Sequence, residues 1–229
     1  MSNRVLVAWS SGKDSAWLLS QLGTDPGYEV AGLLTTFNAA HDAVAMHEVP
    51  RALVEAQAAA AGLPLWSVDL PWPCSDAEYA RRMAAVVERA RAAGIAAIAF
   101  GDLFLADIRA WRERQFAGSG IAPLFPLWCG EDGTAALART MCDGGLRAVV
   151  TCVDTRLLDT ACLGLAWDYD FIAGLPGGVD PCGERGEFHT FCVAAPCFAR
   201  ALDVVGGPSW TRDGFAHCPL ALADDGQHA

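Results

Sequence analysis

Val5-Leu6-Val7-Ala8-Trp9-Ser10-Ser11-Gly12-Lys13-Asp14-Ser15 runs from an apolar stretch straight into a glycine-bearing polar turn. Asp14 to Leu22 then carries Trp17, Leu18 and Leu22 at helical spacing. The apolar run suits a strand buried on both faces, as in a parallel sheet, and the turn feeds a helix that packs back onto it. Outward from this stretch the same β-then-α order recurs. Val30 to Phe37 precedes Val49 to Ala61, where Val49, Leu53, Ala56 and Ala60 repeat at helical spacing until Gly62 and Pro64 stop the helix. Leu65 to Leu70 gives a third strand. Ser75 or Asp76 then caps a helix with Tyr79, Met83, Val86 and Ala90 on one face, closed by Gly94. Ile95 to Phe100 and Asp107 to Phe116 complete the pattern. Such alternation predicts an α/β fold, a doubly wound parallel sheet with helices on both faces, over residues 1–122.

From Pro123 the texture changes. Leu124-Phe125-Pro126-Leu127-Trp128 leads to a helix from about Asp132 to Cys142 and a strand at Ala148 to Val153. A glycine- and proline-rich stretch, Gly174 to Gly186, separates these from strands at His189 to Val193 and Leu202 to Val205. The expectation is a smaller C-terminal α+β domain over residues 123–229.

Composition narrows the function classes. With 53% hydrophobic and 19% charged residues, the chain can bury enough apolar surface to offset the entropy of ordering. Apolar runs such as Ile95 to Phe100 end well short of the roughly 20 residues of a membrane span. The polar start, Met-Ser-Asn-Arg, enters a strand without a signal-peptide pattern, so a cytoplasmic location is expected. The nine cysteines include no CxxC pair, which argues for reduced thiols and against a structural zinc or iron–sulfur site. A net charge of −11 disfavours a large nucleic-acid footprint, which needs Lys and Arg against phosphates.

Ser10, Ser11, Gly12, Lys13, Asp14 and Ser15 lie where a strand turns into a helix, so backbone N–H groups and the positive helix end face one point. Anions bind at such points. Gly12 permits close approach, Lys13 supplies a point charge, and the Ser10 and Ser15 hydroxyls add donors. The spacing is neither the Walker A GxxxxGK[ST] nor the dinucleotide GxGxxG. Asp102, directly after a strand, stands at the sheet's carboxyl edge, where it could hold Mg²⁺ against phosphates or cap the following helix. Arg109, further on, could meet a phosphate or be solvated. Cys182-Gly183-Glu184-Arg185-Gly186-Glu187-Phe188-His189-Thr190 concentrates two carboxylates, an imidazole and a hydroxyl in seven residues. If a strand begins at Glu187, then Glu187 and His189 share one face and can act together in proton transfer. A polar loop entering an edge strand is the plainer alternative.

The Ser10 to Ser15 string resembles SGGxDS, the PP-loop motif of ATP pyrophosphatases, with Ser11 at the motif's first glycine. Together with GDLFLADIR, PLFPLW and GERGEFHTF, it makes the chain similar to the diphthine–ammonia ligase family, and an Ala-rich, Arg-over-Lys composition leans to a bacterial member. The resemblance implies a HUP/Rossmann-like PP-loop domain that binds ATP with Mg²⁺ and a C-terminal part facing the same cleft. In the family's reaction ATP adenylates a carboxylate, that of diphthine on elongation factor 2, releasing pyrophosphate, and ammonia displaces AMP. By that match Ser10, Ser11, Gly12, Lys13, Asp14, Ser15 and Asp102 fall on the nucleotide side. Glu184, Glu187, His189 and Thr190 fall on the acceptor side, with Lys13, Asp102, Glu187 and His189 as the expected catalytic set. Expected partners are a carboxylate-bearing acceptor and ammonia or an amine, and a homodimer is left open. The competing readings are a PP-loop tRNA-modifying enzyme, which would want a basic surface and paired cysteines, and a non-catalytic ATP-binding module, which would bind without turnover.

Overall fold

A computed structural model describes residues 2–45 and 47–223. The first strand, β1 (Asn3–Ala8), ends at the glycine turn and is followed by α1 (Lys13–Thr24), β2 (Tyr28–Asn38), a two-residue β3 (Ala43–Val44) and α2 (Arg51–Ala61). Then come β4 (Leu65–Leu70), α3 (Asp76–Ala92), β5 (Ala97–Ala99), α4 (Ala106–Phe116) and β6 (Ala122–Leu124). Local chemistry sets several boundaries. Gly62 closes α2 in the left-handed conformation at φ 66°, and the Ser75 hydroxyl caps α3 by accepting the Glu78 N–H at 3.2 Å. β4 alternates along its length, with Trp66, Val68 and Leu70 buried while Ser67 and Asp69 face out.

The parallel strands follow the order β4-β2-β1-β5-β6, since β4 and β1 take opposite edges of β2 and β5 pairs with β1. The order in which strands are added therefore reverses between β1 and β5. That crevice, beyond the strands' carboxyl ends, is where doubly wound sheets bind ligands. Residues 10–15 and Gly101-Asp102 both emerge into it. β3 runs antiparallel to β2, pairing Phe37 with Val44, on the edge that β1 leaves free after Leu34. This short strand swings the 39–50 loop over the crevice.

The second unit contains α5 (Thr134–Asp143), β7 (Arg147–Asp154), β8 (Ala166–Trp167), α6 (Tyr169–Ala173), β9 (Phe188–Ala194), β10 (Val204–Gly206), β11 (Trp210–Arg212), β12 (Phe215–His217) and β13 (Leu220–Leu222). β7 is its centre, antiparallel to β8, β9 and β12, while β10 and β13 form a separate pair. The architecture is an α/β unit with a parallel-dominated sheet plus a C-terminal antiparallel β unit. β6 straddles the expected border at 122/123, because Ala122 and Pro123 both pair with β5. Of the two- and three-residue strands, β5 and β10 overlap apolar runs that the sequence shows, whereas β3, β6, β8, β11, β12 and β13 are too short to announce themselves by periodicity.

One core runs through both units, joining Val5, Leu18 and Phe37 to Val150, Trp167, Phe188 and Phe191. A second core fills the opposite face of the parallel sheet beneath α3 and α4. Gln57, fully buried on α2, is the polar link at the junction. Its Oε1 accepts from the Trp9 indole at 2.9 Å, and its Nε2 donates to the Ser11 carbonyl at 3.0 Å and the Cys192 carbonyl at 2.7 Å. No helix among the described residues is long and apolar enough to cross a membrane.

Candidate active site

A cleft of about 340 Å³ lies between the two units, with Ser10, Lys13 and Asp14 on one wall and Glu184, His189 and Thr190 on the other. The first wall is built from backbone. Helix α1 starts at Lys13 with no cap from Gly12; Thr190 takes the Lys13 N–H, the positive helix end beyond it is available to an anion, and the Ser15 hydroxyl donates to the Gly12 carbonyl at 3.0 Å. Ser11, at the motif's glycine position, adopts φ 68°, the left-handed region that glycine occupies most easily. Its carbonyl is held by Gln57 and by the Cys192 N–H at 2.9 Å, so contacts from elsewhere in the fold fix the path that its own side chain disfavours. At Gly12 a Cβ would lie 3.2 Å from the Thr190 carbonyl oxygen, which makes the residue's smallness the condition for β9 to lie against the loop.

Lys13 differs from its expected place as a free point charge for phosphate. Its ammonium is buried, donates to Asp14 Oδ2 at 2.9 Å and to the Cys182 carbonyl, and stands 5.5 Å from the ring centres of Trp167 and Phe188. Burial alone would lower its pKa, but Asp14, with smaller help from Cys182 and Glu184, more than offsets this and holds the group charged. Lys13 thereby ties the loop to the second unit, and Thr190 Oγ1 reinforces the tie by accepting the Lys13 backbone N–H at 3.2 Å. Asp14 also lines the cleft, and its Oδ1 is buried with no partner.

The GERGEFHT segment divides into a scaffold and a working surface. Gly183 sits at φ 67°, and a Cβ there would come 2.8 Å from the Phe188 carbonyl oxygen. Glu187 is 3% exposed and does not line the cleft: its two oxygens accept from the backbone N–H groups of Asp180 at 3.0 Å and Arg185 at 2.9 Å. Because β9 begins at Phe188, Glu187 lies outside the strand, and the expected Glu187–His189 shared face does not form. Its carboxylate staples the loop instead. Glu184 does face the cleft. Its Oε1 accepts from the Leu103 N–H at 2.7 Å, and burial, then the nearby Asp14 and Asp102 carboxylates, push its pKa up to about 7.

Asp102 borders the cleft, but Arg112 occupies both its oxygens, Nε to Oδ2 at 2.5 Å and Nη2 to Oδ1 at 3.0 Å. That pairing leaves Asp14, with its unpartnered oxygen, as the better Mg²⁺ contact. Among the described residues no three acidic, histidine or cysteine side chains converge as a metal cage. Mg²⁺ commonly takes one or two carboxylates and completes its shell with phosphate oxygens and water, so this donor set fits it. Arg109 stands between Phe125 at 4.9 Å and Trp128 at 4.8 Å and pairs with Glu113 at 3.0 Å, which explains structurally why the GDLFLADIR and PLFPLW segments go together.

Two cleft residues escape the sequence reading. Arg112 follows Arg109 by one helical turn on α4, without a motif of its own. His47, on the 39–50 loop, packs edge-on against His189 with ring centres 4.5 Å apart. Burial, then Lys13, lower the His47 pKa to about 4; burial, then His47, take His189 well below its ordinary value. Both imidazoles are neutral at neutral pH and can accept hydrogen bonds. Tyr79, Met83, Leu34 and Phe100 give the cleft an apolar end suited to a base.

A doubly wound sheet with a glycine turn and helix start at its switch point, facing Glu184 and His189 across a cleft, has the arrangement of the PP-loop class of nucleotide-binding proteins. The diphthamide synthase N-terminal domain matches residues 3–123 and the diphthamide synthase C-terminal domain matches residues 133–219; the chain belongs to the diphthamide synthase family, whose members use ATP. No curated protein matches the chain.

Proposed function

We propose that the protein is an ATP-dependent, AMP-forming ligase that joins ammonia or an amine to a carboxylate. The observation that carries this reading is the shared cleft, where an anion-binding helix end faces Glu184 and His189 across one cavity. ATP would lie with its base against Tyr79, Met83 and Phe100 and its phosphates at the α1 N-terminus, with the Ser10 hydroxyl turning from Ser15 to serve as a further donor. Asp14 would hold Mg²⁺, which supplies charge stabilisation to the phosphates. A carboxylate oxygen of the acceptor attacks the α-phosphorus; the bond to the bridging oxygen breaks and pyrophosphate leaves with the electron pair. The amine nitrogen then attacks the acyl carbon, the carbon–oxygen bond to AMP breaks, and the nitrogen gives up a proton. Glu184, with a pKa near neutrality, is the group suited to take that proton, and His189 to orient the amine. The family's name makes the diphthine carboxylate of elongation factor 2 the reference acceptor; other carboxylates belong in the same panel.

Incubation with ATP, Mg²⁺, ammonium and that panel should release AMP and pyrophosphate in step with amide. Release of ADP and phosphate instead would sink the proposal. ATP binding without any turnover across the panel would favour a binding module.

A further inference from the structure

Beyond the ATP cleft lies a second cavity of about 220 Å³, bordered by His41, His47, Glu48, Trp210, His217 and Cys218. His47 is common to both cavities. Three of the chain's five histidines therefore meet in this small space, and a fourth, His189, stands against His47 on the cleft side. Sheet register produces the alignment. Cys152 on β7 pairs with His217 on one side and His189 on the other, and its Sγ lies 3.9 Å from His217 Nε2. His217 is fixed by stacking on Trp210, 4.1 Å between ring centres at 12°.

We propose that this cavity receives the amine co-substrate, ammonia or a small primary amine, and passes it to the cleft between His47 and His189. The inference rests on the ligase reading above and gives one of its substrates a place. Three observations select an amine. His47 Nδ1 is buried with no partner, and in the tautomer protonated at Nε2 it is an acceptor that an N–H donor would satisfy. No Lys or Arg lines the cavity among the described residues, and its one carboxylate, Glu48, is already paired with Arg212. A carboxylate or phosphate entering here would find negative charge and imidazole lone pairs and no free cation, whereas an amine would find acceptors. The volume lies below the ~300 Å³ at which pockets for larger ligands begin, which suits a group of a few atoms. Burial also keeps His47 and His217 below the ordinary histidine pKa, so neither repels a cation at neutral pH.

The test uses the full-length chain with ¹⁵N-labelled histidine, observed at the ring nitrogens. Methylammonium chloride and ammonium chloride should shift the His47 and His217 resonances; potassium chloride and sodium formate at equal ionic strength should not. Cys218→Phe fills the cavity and His217→Phe keeps the ring stack but removes its acceptor. Each should abolish the methylammonium response at His47 while leaving ATP affinity as in the parent, and in turnover should raise the KM for ammonium about tenfold with the KM for ATP unchanged. Shifts caused by formate rather than ammonium, or an intact ammonium response in both variants, would overturn the proposal. An ammonium response at His47 and His217 in a protein that never forms AMP would support the amine cavity while ending the ligase reading. AMP formation with no ammonium response would do the reverse.

Discussion

The wall at residues 10–15 offers backbone and a helix end to the cleft, while the wall at residues 182–190 offers side chains held by a stapled loop. The first is built within six consecutive residues and leans on the second for rigidity, through Ser11 to Cys192 and Lys13 to Cys182. Glu187 holds the second from outside the cleft so that Glu184 and His189 can work inside it. A backbone site leaves a local sequence signature, because its geometry depends on which residues tolerate the turn. A side-chain site leaves a mixed one, in which chemically conspicuous residues can be scaffold.

The largest effect should come from cutting the tie between the walls. Lys13→Ala leaves Asp14 buried beside an unpaired Cys182 carbonyl and should cost about 3–5 kcal/mol in denaturant unfolding. Lys13→Met with Asp14→Asn, which removes both charges, should recover much of that loss. If the single variant unfolds like the parent, the ion pair does not join the walls.

Next in size is the division inside GERGEFHT. Glu187→Ala strips two backbone N–H groups, one buried and one part-buried, of their acceptor and should lower stability by about 2–3 kcal/mol. His189→Asn should reduce turnover with a smaller change in stability. Equal stability of Glu187→Ala and the parent, with turnover abolished, would restore Glu187 to the catalytic set.

The strands, helices and cradle of the first unit could be read from sequence because each is a local pattern: Gly62 and Ser75 punctuate helices by their own conformations and hydrogen bonds. Gln57 could not. Helical spacing assigns Leu53, Ala56 and Ala60 to the interior, and a buried amide beside them becomes sensible only once Trp9, Ser11 and Cys192 arrive from three other elements. His47 was hidden for the same reason, since a two-residue strand carries it over the cleft. Glu184, His189 and Thr190 were legible through family resemblance, but their separation from Glu187 depended on β9 starting at Phe188, one residue after the Glu187 start that a shared face required.

A smaller, pH-dependent effect tests the acidic wall. The Glu184 carboxyl has a pKa of about 7 in the fold against an ordinary 4.5, so the folded state binds more protons than the unfolded one between those values. Stability from this group is therefore complete below about pH 4.5 and is lost as pH rises through 7. Glu184→Gln keeps an oxygen for the Leu103 N–H and does not ionise. It should match the parent's stability at pH 4.5 and exceed it at pH 8 by on the order of 1–2 kcal/mol, less than the roughly 3 kcal/mol of the full shift because water screens the partly exposed carboxyl, while turnover falls. A constant difference across this range would mean that Glu184 ionises as freely folded as unfolded.

The smallest effect belongs to Ser11, where the backbone wall breaks its own rule. A left-handed serine carries about 1 kcal/mol of strain, which glycine would relieve. Glycine would also surrender about 0.5–1 kcal/mol of chain entropy on folding, so the two terms nearly cancel. Ser11→Gly should consequently stay within about 0.5 kcal/mol of the parent in thermal or denaturant unfolding and bind ATP equally well. The Ser11 carbonyl is fixed by Gln57 and Cys192 whichever residue stands there, and that clamp, rather than the side chain, sets the loop's path. Gln57→Leu combined with Ser11→Gly separates the two contributions. Without the Gln57 donor, the serine form should lose its left-handed conformation more readily than the glycine form, so the glycine variant should be the more stable of the pair. If the serine form remains the more stable, the Ser11 hydroxyl, which donates to the Ser10 carbonyl, holds the turn by itself.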